Sequence, residues 1–448
     1  MNKKFHLASK LFQATMYSKK PHLMSKILCF AEAIPKEKSS VSSCISLKLM
    51  LSKGLVKHVS PGIFILMPLA VRSVTKLCNL VDAMMHKING QKVTFPSLIP
   101  EPLMRTSGRW EGNDNLFKLQ DRHMSSFCLG ATHEEVATYL LSLAPLSYKS
   151  LPLRLYQITS KFRDEMNPKL GLLRGKEFLM KDMYTFDSSE ENSQLTYEAV
   201  CNTYVEFFQM LGIDAIKAKG SSGDIGGKCS HEFHLISDIG EDEIFYCPNC
   251  KTGINKELHD GTDVLCESCN IPAKKSNAIE VGHAFLLGTT YSGPFQAKYD
   301  SSENTPETLQ MGCYGLGLTR ILAASVEYLS KTNSIRWPFL LSPYYVSVIP
   351  PKKGSKEESV TAFANHFAES LSKVGWLNSN VIVDDRTNLT IGKRLQEASS
   401  LGIPYAVVVS KRAQEDIPQL EVIDVYNDQT NFLTHKEAMF YFRDKNFL

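Results

Sequence analysis

Two segments of this sequence carry arginines at spacings that could hold a polyphosphate. In the first, Lys161–Phe186, Arg163 and Glu165 alternate, and alternate side chains of an extended strand share one face. We therefore predict that a cation and a carboxylate project into one site. Arg174 and Phe178 follow a loop, which predicts a hairpin whose return strand offers a guanidinium group and an aromatic face. This set could bind phosphate, ribose and adenine, although an Arg-x-Glu pair in a strand is more often a salt bridge between strands.

The second segment is rich in glycine and ends in an arginine. It reads MGCYGLGLTR, from Met311 to Arg320. Its three glycines allow a close approach of the backbone, so we predict a glycine-rich turn before an apolar helix that carries Arg320 near its start. A lone glycine-rich turn is a weak signal. Two arginine-bearing segments in one chain together favour nucleotide chemistry.

Both segments resemble motifs 2 and 3 of the class II aminoacyl-tRNA synthetases. Five further segments are similar to prolyl-tRNA synthetases of the bacterial and organellar type, and the similarity runs from about Ser46 to the end of the chain. The five segments are TSGRW (Thr106–Trp110), DRH (Asp121–His123), CLGATHEE (Cys128–Glu135), SHEF (Ser230–Phe233) and EVGHAFLLGTTYS (Glu280–Ser292). Several long segments in the same order are far more specific than any single motif.

The resemblance implies that the carboxylate of L-proline attacks the α-phosphate of ATP, and that the prolyl group then moves to the 3′ end of tRNA(Pro). Arg163 would contact the α-phosphate and the proline carboxylate, while Arg174 and Arg320 would hold the outer phosphates. Phe178 and Arg320 would enclose adenine, and Glu165 would accept a hydrogen bond from the adenine amino group. We expect catalysis to rest on Arg163, Glu165 and Arg320 through positioning and charge stabilisation. Mg²⁺ would offset the remaining phosphate charge, with ligands that the sequence does not assign.

The same resemblance implies a proline pocket. Thr132 and Glu134 match the positions that meet the imino group, where a cationic nitrogen needs an acceptor and a carboxylate. His283 would line this pocket, and Phe233 and Phe285 are candidates either for its apolar walls or for the core. Outside this context, a Thr-x-Glu sequence before a helix reads as a capping box.

The catalytic domain is expected over residues 39–340, as an α+β fold with an antiparallel sheet flanked by helices. Apolar residues recur at helical spacing over Pro68–His86, which predicts an amphipathic helix. The segment Gly90–Pro96 predicts a short strand and resembles motif 1, which forms the dimer interface in this class. The resemblance therefore implies a homodimer.

Residues 341–448 alternate apolar strands with helices, which predicts an α/β domain. It resembles the anticodon-binding domain shared by the prolyl, threonyl, histidyl and glycyl enzymes. Asp385, Arg386 and Lys393 are candidates for contacts with tRNA, since single-stranded anticodon bases can be splayed out and hydrogen-bonded. Surface charges of this kind are more often simply solvated.

Four of the eleven cysteines form a separate pattern. Cys247 and Cys250 make one CxxC pair, and Cys266 and Cys269 make a second after a polar loop, which is the spacing of a zinc ribbon. We predict a small zinc-ribbon-like insertion over residues 245–276 with a structural Zn²⁺, because four thiolates leave no open position on the metal. Unmetallated thiols or a disulfide are the alternatives. The other seven cysteines are expected to be free thiols in a reducing compartment.

The first 31 residues contain six lysines and no acidic residue. A basic, acid-free start with an amphipathic pattern predicts a mitochondrial transit peptide, placed at residues 1–38, and a location in the mitochondrial matrix. The alternative is a disordered basic tail. Without these six lysines the formal net charge changes from +3 to −3, so RNA binding would depend on local patches. No apolar run reaches eighteen residues, so no membrane-spanning role is expected.

Two rival functions remain open at this point. A class II synthetase of different amino-acid specificity would keep the ATP site and change the pocket, which the Thr132, Glu134 and His283 set argues against. A non-catalytic accessory protein built on a synthetase fold would have no need for the phosphate-binding arginines. Proline–tRNA ligation is therefore the function that the sequence favours.

Overall fold

The computed structural model describes residues 20–31, 44–143, 146–259, 261, 264–330 and 333–445. The strands, in chain order, are β1 (His22–Leu23), β2 (Val56–Ser60), β3 (Ile63–Leu66), β4 (Gln91–Lys92), β5 (Leu98–Pro100), β6 (Lys118–Gln120), β7 (Ser126–Leu129), β8 (Leu146–Ser147), β9 (Leu153–Phe162), β10 (Glu177–Asp187), β11 (Ile216–Lys219), β12 (Cys229–Ile236), β13 (Asp242–Tyr246), β14 (Thr252–Asn255), β15 (Lys274–Gly288), β16 (Lys298–Asp300), β17 (Pro306–Thr308), β18 (Gln310–Gly317), β19 (Val346–Ile349), β20 (Val381–Val383), β21 (Tyr405–Val408), β22 (Gln419–Asp424) and β23 (Gln429–Thr434).

The α-helices of the described residues, in chain order, are α1 (Ile45–Ser52), α2 (Pro68–Lys87), α3 (Glu101–Thr106), α4 (Glu134–Ser142), α5 (Glu190–Met210), α6 (Leu318–Leu329), α7 (Thr361–Leu371), α8 (Ile391–Ser400) and α9 (His435–Asp444). Within the described ranges, none of these helices combines the length and the apolar character needed to cross a bilayer.

A nine-stranded sheet forms the centre of the first domain. Its order is β12-β11-β14-β13-β15-β18-β10-β9-β4, and its long central strands β15, β18, β10 and β9 run antiparallel to one another. Helices α2, α5 and α6 pack over one face, where they share a continuous hydrophobic core with these strands. The antiparallel sheet with flanking helices agrees with the predicted α+β architecture.

Helix α2 confirms the predicted amphipathic helix. It starts with Pro68 at its first position, where the missing N–H costs no hydrogen bond. The predicted apolar stripe is buried at every position; its members are Ala70, Val74, Leu77, Val81 and Met84. Because this stripe faces the core of its own chain, it is not available to a partner subunit. The strand expected over Gly90–Pro96 is limited to Gln91–Lys92, which pairs in parallel with β9.

Two local predictions around the arginines were wrong in secondary structure. Strand β9 ends at Phe162, so Arg163 and Glu165 lie in the loop that follows it, and Arg174 lies in the loop before β10. The hairpin itself is present, with β9 and β10 paired over ten residues from Leu153↔Phe186 to Phe162↔Glu177. The glycine-rich segment is strand β18 rather than a turn, because it is paired on both sides by β10 and β15.

The second domain holds a six-stranded sheet of order β1-β20-β19-β21-β22-β23. Strands β20, β19 and β21 are parallel, as expected of an α/β fold, and β22 and β23 add an antiparallel hairpin at one edge. Helices α7 and α9 contribute buried residues to the core beneath this sheet. The final hairpin and α9 extend the alternating pattern that the sequence predicted.

The N-terminal segment (residues 20–31) packs against both domains. Its strand β1 pairs in parallel with β20, and the His22 imidazole lies 2.6 Å from the Tyr344 hydroxyl. The backbone N–H and the hydroxyl of Ser25 donate to the Asp385 carboxylate at 2.8 and 2.6 Å. Part of the predicted transit peptide is therefore folded. Its predicted amphipathic face, made of Phe5, Ala8, Phe12 and Met16, lies outside the described residues.

Candidate active site

A cavity of about 310 Å³ opens over the central strands of the nine-stranded sheet. The structure brings most of the predicted substrate residues to it: Thr132, Glu134, Arg163, Glu165, Phe178, His283, Phe285 and Arg320. An adjoining cavity of about 210 Å³ shares Arg163, Glu165 and Arg320 and adds Arg174. Residues from widely separated parts of the chain thus converge on one continuous site.

Two glycines of the sheet line this site. Gly282 on β15 and Gly315 on β18 both line the larger cavity. A Cβ atom at Gly282 would lie 2.7 Å from Leu316 Cδ2, which is too close for a side chain at this position. Gly315 of the predicted glycine-rich segment thus lies on a strand rather than in a turn, and a Cβ atom there would have Met180 Sδ as its nearest neighbour at 3.6 Å.

Two of the three predicted phosphate-binding arginines are paired with carboxylates. Arg174 donates through Nε to Glu165 Oε2 at 2.9 Å and through Nη1 to Glu241 Oε2 at 2.6 Å. Arg320 donates through Nη1 to Glu280 Oε2 at 3.1 Å and to the Glu280 carbonyl at 2.9 Å. A bound polyphosphate would replace these carboxylates as the partner of the two arginines. The Glu165–Arg174 pair also shows that the salt-bridge interpretation of this segment was partly right.

Arg163 and Phe178 lie together at the junction of the two cavities. The Arg163 guanidinium carbon is 5.3 Å from the centre of the Phe178 ring, within the range of a cation–π contact. Because both side chains line the larger cavity, a planar base and a phosphate could be bound there side by side.

His283 presents one ring nitrogen to the site. Its Nδ1 lies 3.1 Å from Glu280 Oε1, and its ring stacks on Phe285 with centroids 3.8 Å apart. The other nitrogen, Nε2, is buried and has no hydrogen-bond partner among the described residues. Phe233 belongs to the core, which was the alternative to an apolar wall, because this side chain is fully buried and packs against Tyr204 and Phe208.

Thr132 and Glu134 form no capping box. Helix α4 has His133 at its N-cap without a side-chain capping hydrogen bond. Instead, Arg109 donates through Nη2 to Thr132 Oγ1 at 3.1 Å and through Nη1 to Glu134 Oε2 at 2.9 Å. Arg109 lies in the TSGRW segment, but its position in the sequence predicted no role for it.

A buried polar network supports the Thr132–Glu134 segment from below. The Tyr184 hydroxyl accepts a hydrogen bond from the His133 N–H at 2.6 Å and donates to Asp182 Oδ2 at 2.8 Å. Lys161 pairs with the same carboxylate at 2.7 Å. Burial lowers the pKa of His133 to about 4, so its ring is neutral near pH 7. Asp182 was missed, although the charged pair Lys181–Asp182 between apolar residues of one strand is a recognisable signal.

The four cysteines of the two CxxC pairs lie together. Their Sγ atoms are all within 4.8 Å of one another, and the Sγ atoms of Cys250 and Cys266 are 3.4 Å apart. Four sulfurs bound to one zinc at about 2.3 Å would be separated by about 3.8 Å. The arrangement therefore fits a tetrahedral Zn²⁺ site. It lies on strands and turns between β13 and β15, outside the substrate cavity.

The predicted tRNA-binding residues differ in their surroundings. Asp385 accepts the hydrogen bonds of Ser25. Arg386 is held by Asp384 through Nε at 2.8 Å and Nη2 at 2.6 Å, and it also pairs with Glu397 at 2.8 Å. Lys393 is exposed on α8. Among the three, Lys393 is the residue most accessible to an external ligand.

Family models match both domains. Residues 117–328 match the tRNA synthetase class II core domain (G, H, P, S and T), and residues 345–445 match the anticodon binding domain. Together with the arginine-lined cavity over an antiparallel sheet, these matches define a class II aminoacyl-tRNA synthetase.

Similarity over most of the chain identifies the family within this class. Relatives named "Probable proline--tRNA ligase, mitochondrial" are 48% identical over 406 residues in Rattus norvegicus (90% of this chain, 85% of the relative) and 46% identical over 407 residues in Homo sapiens (90% and 86%). A "Proline--tRNA ligase" of Ehrlichia chaffeensis is 34% identical over 410 residues (88% and 93%). The chain belongs to the proline–tRNA ligase family.

The fold is also that of a solved prolyl-tRNA synthetase. The Giardia lamblia enzyme in complex with prolyl-adenylate superposes with a TM-score of 0.74 at 18% identity, covering 91% of this chain and 80% of that one. At this identity, the likeness shows a shared fold.

Proposed function

We propose that this protein activates L-proline with ATP to form prolyl-adenylate and transfers the prolyl group to tRNA(Pro). The observation that carries the proposal is a pair of adjoining cavities, which unite three arginines suited to a triphosphate with Thr132, Glu134 and His283. The names of the relatives support proline as the amino acid. The test is charging of tRNA(Pro) with labelled proline. Charging with another amino acid would contradict the proposal.

On the nucleotide side, Arg163 contacts the α-phosphate and the proline carboxylate, which brings the two reacting groups together. Arg174 and Arg320 leave their carboxylate partners to hold the outer phosphates, and Phe178 with Arg320 encloses adenine. Glu165 accepts a hydrogen bond from the adenine amino group. No covalent enzyme intermediate is required, because positioning and charge neutralisation lower the barrier to in-line attack on phosphorus.

Mg²⁺ is proposed to bind together with ATP. Carboxylates of Glu241, Asp242 and Glu280 line the cavity that also holds the arginines, and oxygen ligands of this kind suit Mg²⁺. The ion would supply positive charge against the phosphate oxygens. The residues fit this role, since the carboxylates released by the arginines on ATP binding would be free to accept a cation.

On the proline side, Thr132 and Glu134 receive the cationic imino nitrogen. The exposed edge of this subsite is formed by His283, which lies 3.1 Å from Glu280 through its other nitrogen. Phe285, stacked on His283, provides an apolar surface for the ring of proline. This combination favours a compact, partly apolar substrate with a positive charge.

The second domain is proposed to bind the anticodon. Lys393 is exposed and offers a direct contact, whereas Arg386 would act from within its pair with Asp384. Asp385 would exchange its hydrogen bonds with Ser25 for contacts with a base. Recognition of tRNA thus involves the same loop that the N-terminal segment contacts.

A homodimer is proposed from the family resemblance and from exposed apolar side chains. These lie on α4, directly after it, and on the small sheet β5-β7-β6 of the catalytic domain: Leu98, Leu119, Tyr139, Leu140 and Leu143. Exposed large apolar side chains of this kind favour a protein interface. A solution mass of one chain would contradict the dimer.

Zinc binding is proposed to stabilise the insertion over residues 245–276. We expect one Zn²⁺ per chain in protein purified without chelators, and we expect Cys266→Ser to remove it and to lower the melting temperature by roughly 5 °C or more. Metal analysis and thermal denaturation measure both effects. Cys229→Ser, a nearby free cysteine outside the cluster, serves as the control. Wild-type protein without zinc would contradict the site.

We propose that the N-terminal segment belongs to the mature protein, so that the transit peptide ends before Lys20 rather than at residue 38. The enzyme would act in mitochondria, in the matrix, as the relatives' names and the lysine-rich start support. The catalytic domain would then comprise residues 39–340 joined to this segment, with the anticodon-binding domain at 341–448. The segment would join the two domains, because His22 and Ser25 contact the second domain and Cys29 Sγ contacts the Lys53 carbonyl of the first.

Truncation tests this proposal. A chain that starts at Cys44 should charge tRNA more slowly than one that starts at Lys20 while keeping proline-dependent ATP–pyrophosphate exchange, because the lost contacts lie at Tyr344 and Asp385. Its melting temperature should fall by roughly 2–4 °C for each kcal/mol of contacts removed. Equal charging and equal melting temperatures would show that the segment is dispensable.

A further inference from the structure

One arginine and two glutamates lie buried beside the substrate cavity, which Arg109 and Glu134 line. The Arg109 side chain is 10% exposed, and the side chains of Glu134 and Glu135 are 0% exposed. Arg109 Nη1 donates to Glu134 Oε2 at 2.9 Å and to Glu135 Oε1 at 3.1 Å, while Nη2 donates to Thr132 Oγ1 at 3.1 Å. A single guanidinium group therefore holds both residues that are proposed to meet the proline nitrogen.

The charges of this group are not balanced. Two carboxylates and one guanidinium carry a net charge of −1 when both glutamates are ionised, and burial makes an uncompensated charge costly. A ligand with a single positive charge would complete the neutralisation. The secondary ammonium group of proline has this charge, so the imbalance matches the substrate class.

The surroundings shift the pKa values of the two glutamates in opposite directions. Burial raises the pKa of both carboxyl groups, but Arg109, followed by hydrogen bonds from Cys313 and Thr132, lowers the pKa of Glu134 below its ordinary value. The pKa of Glu135 stays raised, because the charge of Glu134 adds to the effect of burial. Other charged or titratable groups face this pair: His133, Lys161, Tyr184, Tyr291 and Cys313.

We propose that Arg109 is a positioning residue for proline recognition, which holds Thr132 and Glu134 in the geometry that receives the cationic nitrogen and offsets the charge of Glu135. This inference rests on the proposed function. Arg109 itself acts through its two partners and needs no contact with substrate. Nothing else among the described residues bridges both of these partners.

Arg109→Gln tests the inference. We expect the KM for proline in ATP–pyrophosphate exchange to rise about tenfold or more, while the KM for ATP stays unchanged, since hydrogen bonds to a buried charge are lost only at the proline subsite. Arg105→Gln is the matched control, because this arginine lies on the neighbouring helix α3, is half exposed and forms its ion pairs with Glu101 and Glu111, outside the subsite. It should leave both constants unchanged.

The pH dependence gives a readout that lost packing alone would not produce. Without Arg109, burial and Glu135 both raise the pKa of Glu134, so protonated Glu134 weakens proline binding at low pH. The KM of Arg109→Gln for proline should therefore fall as the pH rises through the raised pKa of Glu134, whereas the wild-type KM should show no such dependence, because Arg109 keeps the pKa of Glu134 low. Arg109→Lys keeps the charge and should show a smaller, pH-independent increase.

A double variant completes the test. Arg109→Gln/Glu135→Gln removes the competing carboxylate, so Glu134 should ionise again and the KM for proline should recover several-fold. A KM for proline in Arg109→Gln equal to that of Arg105→Gln would overturn the inference. Equal, pH-independent increases in the KM for proline and in the KM for ATP would also overturn it. Wild-type protein that shows no proline-dependent exchange would instead overturn the proposed function.

Discussion

Replacing Arg163 by Gln should lower kcat for proline-dependent ATP–pyrophosphate exchange by about 10²–10³-fold. This guanidinium group lines both halves of the cavity and is proposed to contact the α-phosphate and the proline carboxylate at once. Its loss removes charge stabilisation at the phosphorus under attack, and it also removes the group that brings the reactants together. The rate of adenylate formation in a single turnover measures the effect directly.

The control for this variant is Arg443→Gln, an exposed arginine on α9 in the other domain. Both variants should unfold at the wild-type temperature within a few degrees. A near-normal single-turnover rate in folded Arg163→Gln would contradict the role given to Arg163. Arg163→Lys should rescue little activity, because an ammonium group cannot reproduce the planar, two-point contact of a guanidinium.

Replacing Glu134 by Gln should raise the KM for proline about 10- to 100-fold with little effect on the KM for ATP. The carboxylate is fully buried. Burial opposes its ionisation, but Arg109 and two hydrogen bonds outweigh burial and lower its pKa. It therefore keeps its negative charge near pH 7 and can pair with the cationic nitrogen of proline. The substituted amide would retain the shape and a hydrogen bond but not the charge, so the measured difference reports the ionic contribution.

Glu111→Gln is the matched control, since this glutamate is exposed and forms its ion pair with Arg105, outside the subsite. Equal increases in the KM for proline and for ATP would indicate a distorted site rather than a lost contact. An unchanged KM for proline would remove Glu134 from the proline subsite altogether.

Much of the site could be predicted because its residues stand in long recognisable segments. Arg163, Arg320 and His283 were found in this way, and the structure brings all three to one cavity. Their local conformations were harder to predict. The alternation of Arg163 and Glu165 looks like a strand, but β9 ends at Phe162 because its partner β10 begins only at Glu177. Register between distant segments, rather than local pattern, sets that boundary.

Packing between distant residues explains the other differences. Phe233 was a candidate for the pocket wall or for the core, and its position on β12 turns it towards Tyr204 and Phe208 on α5. The role of Arg109 depends on two glutamates that follow it by about 25 residues, and no spacing rule connects them. Strand β1 has two residues and little pattern of its own; only its pairing with β20 defines it. Such contacts carry no local sequence signal.

The central claim is proline activation, and amino-acid-dependent ATP–pyrophosphate exchange tests it most directly. The protein should start at Lys20, so that the folded N-terminal segment is retained, and each standard amino acid should be tested separately. We expect strong exchange with proline and no exchange of comparable efficiency with any other amino acid. Efficient exchange with a different amino acid, or no exchange at all by folded, zinc-loaded protein, would contradict it.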